Sequence, residues 1–248
     1  MYKQHVRTPI ISPMQWPHLR KALPPCSIRV WFDAPLFGGL QTDLMWEAET
    51  LAMFNQAIYG DIQTRRGCAK EIEAELGDRR SRLLCEGDDD EAEWLAFKYA
   101  ELRETYYLVN LDMNNLAAHA DELTLVACWV LVEKYLGLAL QGIWNELSCQ
   151  TKTSHRWPDL ENSFRTCGIE LRGLASYDDA AECRIFNNAV KHGGIVTPSL
   201  ARFALYTAHQ GRPLKTVEPD VQRCYFGCVD FVGAVLEAAW LHSGGETN

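Results

Sequence analysis

The chain has 248 residues and a formal net charge of −9, a length that allows one large domain with a substantial core. Hydrophobic residues make up 47% of it and charged residues 23%, as in ordinary globular proteins. The acidic balance argues against non-specific coating of nucleic acid, although a local basic groove remains compatible with it. The nine cysteines lie mostly in apolar helical patterns. We therefore expect reduced thiols in a cytoplasmic protein without a secretory signal.

Residues 1–40 differ in composition from the rest of the chain. They contain six of the ten prolines together with several aromatic residues. Proline at this density blocks long helices, while the aromatic side chains favour packing against another surface. We predict an irregular arm here, with one short strand near residues 27–32.

Helical patterns begin after this arm. Residues 42–60 have apolar side chains at helical spacing, and residues 61–84 form a charged helix with weak burial. The acidic run 87–91 is a break before a long helix at 92–118, whose positive pole suits carboxylates. The predicted organisation is a helical extension at 41–90 and a bundle at 91–248, so the predicted fold class is all-α.

Residues 121–147 form the most apolar segment, which we predict to be the central buried helix of the bundle. Its longest uncharged run is far shorter than the roughly 20 residues that a membrane span requires, so we expect no membrane association. Glu133 interrupts this run. Its carboxylate must either reach the surface or find a cation in the interior.

Three further helices are predicted at 160–174, 199–206 and 219–242, with a basic, flexible connection at 209–216. Cys224 and Cys228 have the i, i+4 spacing that two metal ligands can share, but no second Cys/His pair is near them in sequence. We therefore expect no metal and no other cofactor.

The segment between Ser176 and Gly194 holds the densest potential chemistry. Ser176 is a plausible helix N-cap, and the two glycines after His192 suit a left-handed C-cap. At about 100° per residue, one side of this helix is directed to a core: Ala180, Cys183, Phe186, Asn187 and Val190. A neighbouring arc carries two cations, an amide and an imidazole: Arg184, Lys191, Asn188 and His192. Such residues are also ordinary on a solvated helix surface, and that interpretation stays open.

Arg184 together with the sequence Asn188-Ala-Val-Lys-His192-Gly-Gly resembles the terminal helix of the HEPN (higher eukaryotes and prokaryotes nucleotide-binding) superfamily. These are all-helical domains, and many are metal-independent ribonucleases. Their motif is an Arg, usually followed by a polar residue, with a His four to six residues beyond the Arg. Asn188 matches the polar position and His192 the histidine, whereas Arg184 lies one helical turn before the expected arginine position. The pattern also resembles that of uncharacterised prokaryotic HEPN-like proteins, some of which are linked to phage defence.

The resemblance implies a metal-independent endoribonuclease in phage defence or a toxin system, acting on RNA as a homodimer or with a partner protein. It implies catalytic roles for His192, Arg184 and Asn188. Lys191 and Asn187 would bind the substrate, and Glu133 would position Arg184.

Two alternatives stay open beside this hypothesis. Arg184 and His192 are eight positions apart, which is about 12 Å along a helix axis, and a long helical side chain leans toward the N-terminus. If this geometry keeps the two side chains from reaching one phosphate, the chain is a catalytically silent HEPN-like subunit of a defence or toxin–antitoxin assembly. Such a subunit would bind a nucleotide, an RNA or an acidic partner. The other alternative is an acidic helical scaffold with no site.

Overall fold

The computed structural model describes residues 35–86, 89–146 and 156–244. Within these ranges the chain forms five α-helices and four short 3₁₀ turns. No β-strand occurs among them, and a single antiparallel bridge joins Ile195 to Pro213. The predicted all-α class is therefore confirmed. Residues 1–34 of the predicted arm, with its strand near 27–32, lie outside the described residues. Residues 35–40 are helical and are not irregular as predicted.

The first two helices are much longer than predicted. Helix α1 (Pro35–Glu86) has 52 residues and helix α2 (Asp89–Glu146) has 58. The predicted breaks near residue 60 and between residues 118 and 121 do not exist. Of the predicted acidic break at 87–91, residues 89–91 are helical and residues 87–88 lie outside the described ranges. The chain has no proline between Pro35 and Pro158, and a lone glycine such as Gly60 costs a helix only about 1 kcal/mol.

Helices α3 (Trp157–Thr166), α4 (Tyr177–Lys191) and α5 (Val221–His242) follow. The 3₁₀ turns are Leu171–Gly173, Leu200–Arg202, Ala204–His209 and Leu214–Thr216. Helix α3 ends earlier than predicted because Gly168 adopts a left-handed conformation with φ of 78°. The predicted helix at 199–206 is a pair of 3₁₀ turns. Helix α5 begins as predicted, and the Asp220 carboxylate accepts the backbone N–H of Arg223 at 3.1 Å.

The described chain divides into two compact units. One is Gln56–Ala120, with a small buried cluster of Tyr59, Ile62, Ala117 and Ala120. In it, Arg66 Nη2 donates to Asn114 Oδ1 at 2.6 Å. None of the side chains described between 63 and 83 is buried, which agrees with the weakly buried helix predicted there. The three-part division at residues 40 and 90 stays a prediction.

The second unit contains residues 35–55 and 121–244. The carboxyl-terminal half of α2 supplies much of its core, as predicted: Leu125, Cys128, Trp129, Val132, Tyr135, Leu136, Ala139, Leu140 and Ile143. Polar contacts tie other elements to this core. Asn55 Nδ2 donates to Thr124 Oγ1 at 2.9 Å, and the Tyr225 hydroxyl donates to the carbonyl of Ala48 at 2.8 Å.

Two helical segments are long and apolar enough to cross a membrane, judged by length and composition alone: Leu111–Asn145 and Val221–His242. In the most apolar stretch of each segment, 50% and 56% of the residues, respectively, are buried within the protein. Core helices of soluble proteins pass the same test, so this finding is weak evidence for a membrane span.

Helices α4 and α5 approach closely at Gly227. A Cβ atom added there would lie 2.6 Å from Asp179 Cγ, far inside van der Waals contact. The same Asp179 carboxylate pairs with Arg223 of α5. A glycine is therefore required at position 227 by the neighbouring helix.

We expect Gly227→Ala to lower the free energy of unfolding by about 2 kcal/mol, because overpacking outweighs the higher helix propensity of alanine. The matched control is Gly233→Ala in the same helix, where a Cβ would meet no atom within 4 Å. We expect the control to stabilise the protein by up to about 1 kcal/mol. Urea unfolding followed by circular dichroism measures both changes, and equal effects of the two substitutions would contradict the expectation.

Candidate functional site on helix α4

The sequence predicted the C-terminal end of α4 correctly, but it did not predict the conformation of the N-terminal end. Ser176 occupies the N-cap position but makes no capping hydrogen bond, since its backbone is left-handed with φ of 58° and a side-chain cap needs an extended conformation. The C-terminal glycines were predicted correctly, with φ of 122° at Gly193 and 65° at Gly194. The N–H of Gly194 donates to Ala189 O at 2.9 Å, which makes His192 the C-cap residue.

The core-facing side of α4 agrees with the prediction. Four of the five predicted residues are buried, and Val190 is partly buried against the same core. Asn187 is only 1% exposed, and its Oδ1 has no hydrogen-bond partner among the described residues. This amide therefore lies in the interior and is not on the exposed edge.

Arg184 packs against an aromatic ring. Its guanidinium carbon lies 5.2 Å from the centroid of the Trp157 ring, within the range of a cation–π interaction. Its Nε is buried and has no hydrogen-bond partner in the part of the chain that the structure describes. Burial lowers the pKa of Arg184, an effect that nearby Tyr177 and Glu161 oppose. The guanidinium of Arg184 is thus engaged by side chains of the protein, above all by the Trp157 ring.

Glu161 joins the same group of side chains. Its Oε1 accepts from Tyr177 Oη at 3.0 Å and from Arg172 Nε at 3.2 Å. Burial alone would raise the pKa of Glu161, but these two hydrogen bonds and the charges of Arg172 and Arg184 lower it overall. Trp157 and Glu161 are one helical turn apart at the start of α3, a spacing that the sequence shows without indicating that Arg184 lies near both.

Glu133, the predicted partner of Arg184 or His192, is half-buried. Across residues 35–86, 89–146 and 156–244 it forms no hydrogen bond or ion pair with either of them. The next residue, Lys134, instead pairs with Glu47 of α1, and Tyr135 Oη lies 3.3 Å from the same carboxylate. The acidic neighbour of Arg184 is therefore Glu161.

The exposed edge at the end of α4 consists of Asn188, Lys191 and His192. Within the described ranges none of these three side chains makes a hydrogen bond or ion pair, so all are available to a ligand. Arg184 begins about 12 Å earlier along the axis and packs on Trp157. The edge offers an amide, an ammonium and an imidazole, and Arg184 belongs to a separate group.

A second polar cluster joins α4 to α5 and was not predicted. Glu182 is 3% exposed, and its Oε2 accepts from Arg223 Nη2 at 2.7 Å. Cys224 Sγ lies 3.6 Å from Glu182 Oε1. Burial raises the pKa of Glu182, and Arg223 opposes this increase. In sequence, Glu182 looked like an ordinary polar residue beside the apolar side of the helix.

The cysteines supply no metal site in the described part of the chain. All seven cysteines there are free, and five of them are buried. The thiols of Cys183, Cys224 and Cys228 are neighbours, and hydrogen bonds with adjacent thiols, together with burial, raise the pKa of Cys224 and Cys228. No group of three or more His, Cys, Asp or Glu side chains in the ranges described is arranged to hold a metal ion.

Comparisons with known proteins add no assignment: no family model, no curated protein and no solved structure matches this chain.

The Glu182–Arg223 pair makes stability depend on pH. We expect Arg223→Met to lower the free energy of unfolding by about 2–3 kcal/mol near neutral pH, because it leaves a buried carboxylate uncompensated. Arg223 is 41% exposed, so water replaces part of the lost interaction. Without Arg223 the pKa of Glu182 rises further. The stability of the variant is then highest at low pH and is lost as pH rises through that pKa.

Urea unfolding at about pH 5 and about pH 8 measures this deficit, which we expect to be larger at the higher pH. The control is Arg165→Met, which removes a pair with Glu170 whose side chains are 57% and 54% exposed. Such exposed pairs contribute about 1 kcal/mol or less. A deficit for Arg223→Met that does not change with pH would contradict the expectation.

Proposed function

We propose that this chain is a HEPN-like helical protein that binds the phosphate groups of RNA or of a nucleotide at the exposed end of α4. On this proposal it serves as a non-catalytic binding or regulatory subunit of a cytoplasmic defence or toxin–antitoxin assembly. The proposal rests on the resemblance of the segment from Arg184 to Gly194 to the HEPN motif. It also rests on one structural observation, namely that Asn188, Lys191 and His192 are exposed without partners among the described residues.

The arrangement of charges favours binding over catalysis within one copy. A ribonuclease of this type needs a titratable group and a cation at the same phosphate. Here the cation with the best geometry for phosphate, Arg184, packs on Trp157 and lies near Glu161. Binding needs only hydrogen-bond donors and a positive charge at the exposed edge, and Lys191 and Asn188 provide both.

We expect the double variant Lys191→Gln/His192→Ala to bind a short fluorescent single-stranded RNA at least about tenfold more weakly than the wild type, because it loses the charge of Lys191 and the hydrogen bond of His192 to phosphate. Fluorescence anisotropy at low salt measures the affinity. The control is His242→Ala, which removes an exposed histidine from the last turn of α5. Equal affinities of the double variant and the wild type for RNA and for a mononucleotide would refute the proposal.

The second candidate is a metal-independent endoribonuclease, and the exposed imidazole of His192 favours it. The imidazole can take the proton of the 2′-hydroxyl or supply a proton to the leaving 5′-oxygen. Lys191 would stabilise the charge that develops on the phosphate. A second copy would have to bring a cation of its own to the same phosphate.

On this candidate, His192→Ala lowers RNA cleavage by about 100-fold or more, which is the contribution of a general acid or base. Gel analysis of mixed tRNA and rRNA, incubated with each species separated by size-exclusion chromatography, measures the cleavage. The His242→Ala control should cleave like the wild type. If the wild type binds RNA but leaves it intact in every assembly state, the endoribonuclease candidate is excluded and the binding function remains.

A further inference from the structure

A long stretch of this acidic protein contains no acidic residue. Between Glu182 and Glu218 the sequence has no Asp or Glu, although it carries five Lys or Arg residues and two histidines. The cations are Arg184, Lys191, Arg202, Arg212 and Lys215. In a chain with a net charge of −9, this segment creates a local positive field, which focuses anions.

The fold returns the far end of this segment to the C-terminus of α4. The N–H of Leu214 donates to Gly194 O at 2.8 Å, and the N–H of Val196 donates to Arg212 O at 2.9 Å. Leu200, Tyr206 and Leu214 are buried and anchor the intervening turns. The connection at 209–216 is thus tied to residues 194–196, contrary to the predicted flexible linker, and Arg212 is joined directly to the loop that follows His192.

The exposed cations of this segment have no carboxylate partner among the described residues. Lys191, Arg202, Arg212 and Lys215 are exposed, and in the described ranges none of them forms an ion pair. Some arginines outside the segment pair with carboxylates, for example Arg65 with Asp61 at 2.8 Å, whereas Lys70, Arg80 and Arg82 of α1 form no ion pair in the described ranges. Unpaired like charges repel one another, so this surface is better matched to an anionic ligand than to the folded chain alone.

We propose that Lys191, His192, Arg202, Arg212 and Lys215 form one basic surface that binds the phosphodiester backbone of a single-stranded nucleic acid. The proposal rests on the proposed function for Lys191 and His192, and it adds three residues and an extended ligand. The cations lie at four different places: the end of α4, the turn at 200–202, position 212 just before the Ile195–Pro213 bridge, and the turn at 214–216. A chain of phosphates matches such a distribution better than one phosphate does.

Salt dependence of binding tests this surface. The variant is Arg202→Gln/Arg212→Gln/Lys215→Gln, measured with RNA and DNA oligonucleotides of the same sequence. Each lost phosphate contact reduces the slope of log affinity against log salt by about 0.7 for a single strand. We therefore expect the slope to fall by about 2 and the affinity at low salt to fall by at least about tenfold.

The matched control is Lys70→Gln/Arg80→Gln/Arg82→Gln, which removes the same charge from exposed positions on α1. We expect its slope to equal that of the wild type. Equal slopes for the two triple variants would overturn the basic surface. The proposed function would then still be tested separately by the Lys191→Gln/His192→Ala variant. A wild type that binds neither oligonucleotide also overturns the surface, while mononucleotide binding would preserve the proposed function. Equal binding of DNA and RNA supports the surface and removes the RNA preference.

Discussion

The packing of α4 against α5 decides which side chains of α4 reach solvent. Glu182 is buried and bonded to Arg223, and Gly227 allows Asp179 to approach α5 closely. Rotation of α4 about its axis would separate the buried carboxylate from its cation, which is costly in a low-dielectric interior. The close approach admits no side chain at position 227. These two constraints hold one face of α4 inward and leave Asn188, Lys191 and His192 at the surface.

Arg184 shows how a motif residue can take a different role in its tertiary context. Its stacking on Trp157 and its proximity to Glu161 direct the guanidinium toward the start of α3. His192, as the C-cap residue, lies at the C-terminal end of α4, about two turns beyond Arg184. The exposed end of the helix is instead continuous with the basic loop through residues 194–196. The cations connected to the end of α4 are thus Lys191 and Arg212, whereas Arg184 packs on Trp157.

Local patterns predicted the elements of the fold better than their lengths. The apolar run at 121–147 and the glycines after His192 were interpreted correctly, since helix burial and C-capping depend on neighbouring residues in the sequence. The breaks expected in α1 and α2 were wrong because turn signals weaker than proline do not end a well-packed helix. Glu133 and Glu161 show what the sequence could not predict about the candidate site. Both are acidic residues on helices, and periodicity does not state which of them lies near Arg184.

The sequence by itself determined an all-α protein, the core-facing side of α4, its glycine C-cap and the absence of acidic residues between Glu182 and Glu218. These properties follow from composition and from the helical repeat. Only the tertiary structure decided that Arg184 packs on Trp157, that Glu182 pairs with Arg223, and that Arg212 returns to the end of α4. Each of these contacts joins residues about 16 to 41 positions apart in the chain, and such pairings depend on how helices pack, which no local repeat specifies.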